Sequence, residues 1–299
     1  MKISVAICTY NRERYLPQLF DSIVNQDLDR TLFEVILVNN NSPGNTKELF
    51  EEFKTKNPDI ISIYKEEHQQ GLSFSRNNAI EAAQFELITF LDDDAFIDSK
   101  YLSELMRIFQ QEDVTAIGGK ILLHYETEVP NWENPYLNSL LGYFNKGDVA
   151  FDFNRHDYPR GSNMAFRTHI FKEIGSFNIA LGRIGSQLIG GEEKDLFNRI
   201  YQKKYRVVYA PLAIVYHSVP IERTKSSFIK QQALGTGSSE RVRCLHVSVF
   251  HYLKRIGVEA LKWGASILIA MLYLFQLKFA RARMILFFRF WVTLGLLYK

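Results

Sequence analysis

The 299-residue sequence is poor in cysteine, with Cys8 and Cys244 its only two. Cys8 sits inside an apolar run, so neither a disulfide framework nor a CxxC metal site is available, and the usage fits a reducing compartment. No GxxxxGK[ST] loop occurs, which argues against a P-loop nucleotidase. No GxGxxG follows the first apolar run, which argues against a dinucleotide-binding Rossmann domain. Met1–Ile7 carries one lysine, a short apolar stretch and no small-residue cleavage site; it is expected to form a first strand and not a signal peptide, which leaves the chain cytoplasmic. The last absence is of negative charge: from Ala260 to Lys299 there is no acidic residue.

The formal net charge of +3 hides that asymmetry. Residues 221–299 hold thirteen Lys and Arg against three Glu, net +10, whereas residues 1–220 hold 23 basic against 30 acidic, net −7. The basic residues are interleaved with long apolar runs, which suits anionic lipid and not a groove that tracks phosphates, so no nucleic-acid partner is expected. The runs at 263–277 and 284–298 are each shorter than the ~20 residues of a spanning helix. If both spanned, the linker with Lys278, Arg281 and Arg283 would lie outside, against the positive-inside rule. In-plane helices on an anionic membrane surface, with Trp263, Trp291 and Tyr298 at headgroup level, are expected instead, making the chain peripheral on the cytoplasmic face of the cell membrane. A buried helical pair is the alternative.

What is present in the first 220 residues is alternation. The β-rich runs ISVAIC (3–8), FEVILV (33–38), IISIY (60–64), ELITFL (86–91) and VTAIGGKILL (114–123) are separated by helical spacing near 13–25, 45–56, 73–84 and 99–111. A mainly parallel α/β sheet follows, because parallel strands need crossover helices. In such sheets ligands gather at the carboxyl ends of the strands.

Those ends hold the unusual residues. ITFLDDDAFID (88–98) drives a strand into Asp92, Asp93 and Asp94. Two carboxylates ~4 Å apart repel by about 4 kcal/mol in a protein-like dielectric. A solvated acidic turn or a helix cap would explain such a run, but a hard divalent cation, Mg²⁺ or Mn²⁺, shared with a substrate diphosphate satisfies it most simply. A second acidic group, Glu192, Glu193 and Asp195, follows two glycines and opens a helix, where the dipole favours acids; as chemistry it offers a general base.

Together with CTYNRERY (8–15), NNNSPGN (39–45), GLSFSRNNAI (71–80), GSNMAFR (161–167) and YAPLAIVYH (209–217), these motifs, in this order, resemble the family 2 inverting glycosyltransferases. The resemblance covers roughly residues 2–217. It implies a GT-A fold, a single Rossmann-like domain of mixed sheet flanked by helices (1–220), here followed by a helical, apolar and basic extension (221–299) for membrane attachment. It implies transfer of a sugar, hexosyltransferase-like, from a nucleotide-diphospho-sugar, a UDP-sugar being favoured, to a glycan or lipid-linked acceptor in cell-surface glycan synthesis, with Mg²⁺ or Mn²⁺. Thr9, Tyr10 and Arg12 would line the nucleotide pocket, and Asn39 stands where relatives carry an Asp that accepts from the base. Arg76 matches a nucleotide-contacting arginine. Asp92 would face the ribose or sugar and Asp94 the metal, with Asp93 between them and His217 as a further ligand. Glu193 falls at the base position, with Glu192 the rival; Trp132 resembles an acceptor-side aromatic, or packs. A membrane-docked nucleotide-sugar binding or scaffolding protein without turnover is the other reading.

Overall fold

A computed structural model describes residues 1–155, 157–182 and 191–298. The chain divides into two compact units, Met1–Leu122 with Phe144–Ser218, and Leu123–Tyr143 with Val219–Lys299. The expected boundary at 220 therefore leaves out one segment. Residues 123–143 group with the C-terminal helices because Trp132, Leu137 and Leu141 share an apolar cluster with Val219, Ile229, Tyr273 and Ile285.

In the first unit the strands are β1 (Ile3–Thr9), β2 (Phe33–Asn39), β3 (Ile61–Glu66), β4 (Leu87–Asp92), β5 (Ala95–Ile97), β6 (Val114–Tyr125), β7 (Phe151–Asp152), β8 (Met164–Arg167) and β9 (Arg206–Val219). The helices are α1 (Leu16–Val24), α2 (Thr46–Lys56), α3 (Leu72–Ala82), α4 (Tyr101–Phe109), α5 (Ile170–Ile174) and α6 (Glu192–Gln202). Strands β1, β2 and β4 are buried along almost their whole length, as continuous apolar runs must be when helices cover both faces. Helix α1 buries Leu16, Leu19, Phe20 and Ile23, one stripe at helical spacing. Each such side chain contributes roughly 1.5–3 kcal/mol of burial.

The strand order is β3-β2-β1-β4-β8-β6-β9-β5, with β7 on β9. Parallel pairing joins β3, β2, β1 and β4. Beyond β4 the sheet is mixed, as the resemblance implied and the alternation alone did not: β8 runs antiparallel to both β4 and β6, and β5 and β7 run antiparallel to β9. A buried polar knot fastens this half: Asn163 donates to the Lys120 and Ala213 carbonyls, both at 2.9 Å, and accepts from the Tyr101 hydroxyl at 3.1 Å. Gly119 makes room for it, because a Cβ there would meet the Ala213 oxygen at 2.1 Å.

The parallel register sets Thr9 opposite Asn39 and Cys8 opposite Asp92, so three strand ends share one edge. Chain order reverses between β1 and β4, a switch point where open α/β sheets bind ligands.

The second unit contains α7 (Ile221–Thr224), α8 (Ser226–Val247), α9 (Val249–Phe275) and α10 (Phe279–Tyr298). Helices α8 and α10 approach backbone to backbone: a Cβ on Gly237 would lie 2.1 Å from the Val292 oxygen, and one on Gly295 would lie 2.3 Å from the Leu234 oxygen. Helix α9 is continuous over 27 residues and, by length and composition, long enough to cross a membrane. The sequence expectation counted only its uncharged run from Trp263; the helix also carries the charged turns before it. Phe250, Leu261, Leu268, Leu272 and Phe275 on α9 are all more than half exposed.

Candidate active site

The loops that follow β1 and β2 turn back on themselves through asparagines. Asn11 and Asn41 adopt φ of 55° and 63°, the left-handed region that asparagine tolerates better than most residues. The turn at Asn11 brings the Tyr10 N–H to Asp93 Oδ2 at 3.3 Å and the Arg12 guanidinium onto Asp94 and beside Asp93, 3.9 Å away. The Tyr10 ring is 39% exposed and Thr9 is buried. Asn39 is committed to its own turn: its amide oxygen accepts the Ser42 N–H at 2.9 Å and its NH₂ donates to the Tyr64 hydroxyl at 3.1 Å. This is where an expected base contact meets a structural role already in place.

After Asp94 the chain forms β5, which pairs with β9 so that Ala95 faces His217. That pairing brings His217 Nε2 to 3.4 Å from Asp94 Oδ1. Asp92, Asp94 and His217 each present one donor atom, all within 4.8 Å of one another. Asp92 thus stands with the metal-type donors, where a ribose- or sugar-facing role was expected. Burial pushes the Asp93 carboxyl up to about 7, the neighbouring Asp94 adds to the rise, and Arg12 opposes it. Two carboxylate oxygens and an imidazole nitrogen so close together fit a hard divalent cation such as Mn²⁺ or Mg²⁺.

The second acidic group is placed by helices. Arg76, on α3 and only 2% exposed, is 3.0 Å from Glu192 Oε1 and 3.5 Å from Glu193 Oε1 at the start of α6. It is therefore ion-paired to the glutamates from a helix, as its place in the sequence predicted, and the strand-end Asp92 also acts on it electrostatically. Burial works against charging Arg76, but Glu193 and Glu192 outweigh it and raise its pKa. The two glutamates differ in access: the Glu192 side chain is 5% exposed, that of Glu193 24%. Burial pushes Glu193 above the usual carboxylate range, with Arg76 pulling the other way and Glu192 pushing it further.

Two residues escaped sequence reasoning. Gly161 faces this pair: a Cβ there would lie 1.9 Å from Glu193 Oε1 and 2.5 Å from an Arg76 nitrogen. Arg160 acts on Glu193 electrostatically and lowers its pKa. Their place at the head of GSNMAFR was the available signal. Trp132 lies in the other unit, 6% exposed, its indole N–H donating to the Thr224 carbonyl at 2.8 Å, which favours packing.

Residues 4–175, more than half of the chain, match the family described as Glycosyl transferase family 2. The sequence is 28% identical over 249 residues to the glucosyl-dolichyl phosphate glucuronosyltransferase of Haloferax volcanii, covering 81% of this chain and 77% of that one. The fold is similar to that of the mannosyltransferase PcManGT from Pyrobaculum calidifontis, solved with GDP-Man and Mn²⁺, at TM-score 0.64 and 17% identity over 99% of this chain and 87% of that one. It is also similar to S. aureus TarS 1–349 solved with UDP-GlcNAc, at TM-score 0.57 and 19% identity over 79% of this chain and 66% of that one. A sequence match through more than half the chain, on a fold shared along nearly all of it with a solved mannosyltransferase, places this chain in glycosyl transferase family 2, a glycosyltransferase of the GT-A fold.

Proposed function

We propose that this glycosyltransferase is inverting and metal-dependent, and that it moves a sugar from a nucleotide-diphospho-sugar to a hydroxyl of a lipid-linked glycan. The observation that carries the reading is the separation of two acidic groups: a cation-type cluster of Asp92, Asp94 and His217 at the strand ends, and a Glu193 carboxylate held apart on Arg76. Asp92, Asp94 and His217 would hold Mn²⁺ or Mg²⁺, which when bound neutralises charge on the leaving diphosphate. Tyr10 offers its exposed ring to the donor's base, and Arg12 its guanidinium to the diphosphate. Glu193 accepts the proton of the acceptor hydroxyl as that oxygen attacks the anomeric carbon on the face opposite the nucleoside diphosphate. A single displacement of this kind inverts the configuration. Glu192 stays ion-paired and buried, which keeps Arg76 in place behind the base.

The donor's base is left to experiment, since one structural neighbour was solved with a UDP-sugar and the other with a GDP-sugar. The lipid-linked acceptor is supported by the dolichyl phosphate in the relative's name and by the exposed apolar side chains of α9. Those side chains would attach the chain to the inner face of the membrane that carries such acceptors. A panel of nucleotide sugars with Mn²⁺ or Mg²⁺, scored for nucleoside diphosphate release, tests the transferase reading. One donor should be hydrolysed slowly without acceptor and faster with it; a protein that only binds would release nothing from any donor. For attachment, the full chain should sediment with membranes, and a truncation ending near residue 218 should not.

A further inference from the structure

Helix α9 carries Lys262, Ser266 and Ile269 on one face, at spacings of four and three. Helix α10 presents Ile285, Phe288 and Arg289, and these side chains with Tyr136 and Leu137 line an open cavity of about 200 Å³. An ionic network runs beside it. Glu259, 3% exposed, accepts from Arg255 at 2.8 Å, Arg289 at 3.0 Å and Thr293 at 3.2 Å. Arg255 also bonds Glu240 at 3.0 Å, and Glu240 holds Arg243 at 2.8 Å. Both carboxylates are thus committed more than once. The Arg289 Nε–H goes to the Ser266 hydroxyl at 3.2 Å, and no carboxylate among the described residues lies within ion-pair distance of Lys262. Arg243, Arg255, Lys262 and Arg289 against Glu240 and Glu259 leave the network a surplus of two positive charges, and its two members that line the apolar cavity, Lys262 and Arg289, are both cationic. Its complement is an amphiphile with a phosphate head: a guanidinium and an ammonium for the head, aliphatic and aromatic side chains for the chain that follows.

We propose that this cavity binds the phosphate-bearing end of the lipid-linked acceptor. The phosphate sits between Lys262 and Arg289, and the first carbons of a single polyprenyl chain lie against Ile269, Ile285 and Phe288. This rests on the lipid-linked acceptor proposed above. It adds that the chain itself grips the lipid phosphate, in a site separate from the sugar chemistry.

The three tryptophans, Trp132, Trp263 and Trp291, all lie in this helical unit, so tryptophan emission reads it alone. Trp263 donates to Thr293, a member of the network, at 2.9 Å. The full chain in mild detergent is titrated with farnesyl phosphate, farnesol, inorganic phosphate and a short-chain phosphatidic acid. Farnesyl phosphate should give a saturable change in emission. Lys262→Gln, at an exposed site without an ion pair, should weaken that binding about tenfold, and Ala265→Phe, which fills the cavity, should remove it. Equal binding of farnesol or of inorganic phosphate would overturn the amphiphile site, equal binding of phosphatidic acid would overturn the single-chain acceptor, and unchanged binding by Lys262→Gln would overturn the phosphate contact. Nucleotide-sugar hydrolysis by the wild-type chain, in the same preparation, separates the two readings. Hydrolysis without farnesyl phosphate binding defeats this proposal alone, and absent hydrolysis defeats the transferase reading.

Discussion

Asp92, Asp93 and Asp94 share one arginine, Arg12, at a strand end, and burial lifts Asp93 to about 7; Glu192 and Glu193 share the buried Arg76 at a helix start, and one of them keeps its access to solvent. Among the described residues the first cluster sets three carboxylates around one arginine, an arrangement that a cation would relieve. The second sets Arg76 and the electrostatic pull of Arg160 against its two glutamates and has less to gain from one; the more accessible carboxylate, Glu193, is raised by burial but held in check by the arginines, which suits a group that takes up a proton and returns it. Acidic residues alone do not identify a metal site. The number of cations already built in beside them, and the access left to each carboxylate, separate the two roles.

Substitutions can break this division of labour. The largest effect is expected from Glu193→Gln, which should lower kcat by up to about 10⁴-fold while leaving the donor KM nearly unchanged. In the wild type, transfer should fall as the pH drops through the raised pKa of Glu193, and this variant should lose that acid limb. Asp94→Asn follows, with transfer down by about 10³-fold, several kcal/mol of charge stabilisation, and no rescue by added Mn²⁺. Gly161→Ala is smaller. Its Cβ would sit 1.9 Å from Glu193 Oε1, and displacing the base by part of an ångström should cost up to about 10²-fold in kcat without weakening Mn²⁺ binding. The smallest effect is on stability. Asp93 keeps a proton in the native state between its ordinary value of 3.8 and about 7, where the unfolded chain has already lost it. Native stability should therefore decline as the pH rises through that window, with the full penalty above it. The thermal midpoint without metal should show that decline, and added Mn²⁺ should raise it most above pH 7.

Much of this was legible in the sequence because the signals were local. Strands β1, β2 and β4 are apolar runs, α1 and α4 are amphipathic stripes, and FLDDDAF places its acids by being the end of a strand. What escaped depends on contacts far apart along the chain. His217 was named beside Asp94 through the resemblance, but the strand that joins them was not: β5, which folds back on β9, has three residues and too little periodicity to announce itself. Arg76 and Glu192 are 116 positions apart, and no spacing rule links them. Asn39, matched through the resemblance to a base contact, also closes the turn at Ser42, a bond that the motif does not announce. Segment 123–143 read as part of the first 220 residues because its cluster partners lie about a hundred residues further on.

The account's central claim is that the strand-end cluster holds the cation and the helix-start carboxylate holds only a proton. Titrating Mn²⁺ with the nucleoside diphosphate into the wild type, Asp94→Asn and Glu193→Gln, and following the free-ion electron paramagnetic resonance signal, tests it most directly. Binding by the wild type and Glu193→Gln should coincide, and Asp94→Asn should lose it. Mn²⁺ binding that survives in Asp94→Asn, or that disappears in Glu193→Gln, would contradict the account.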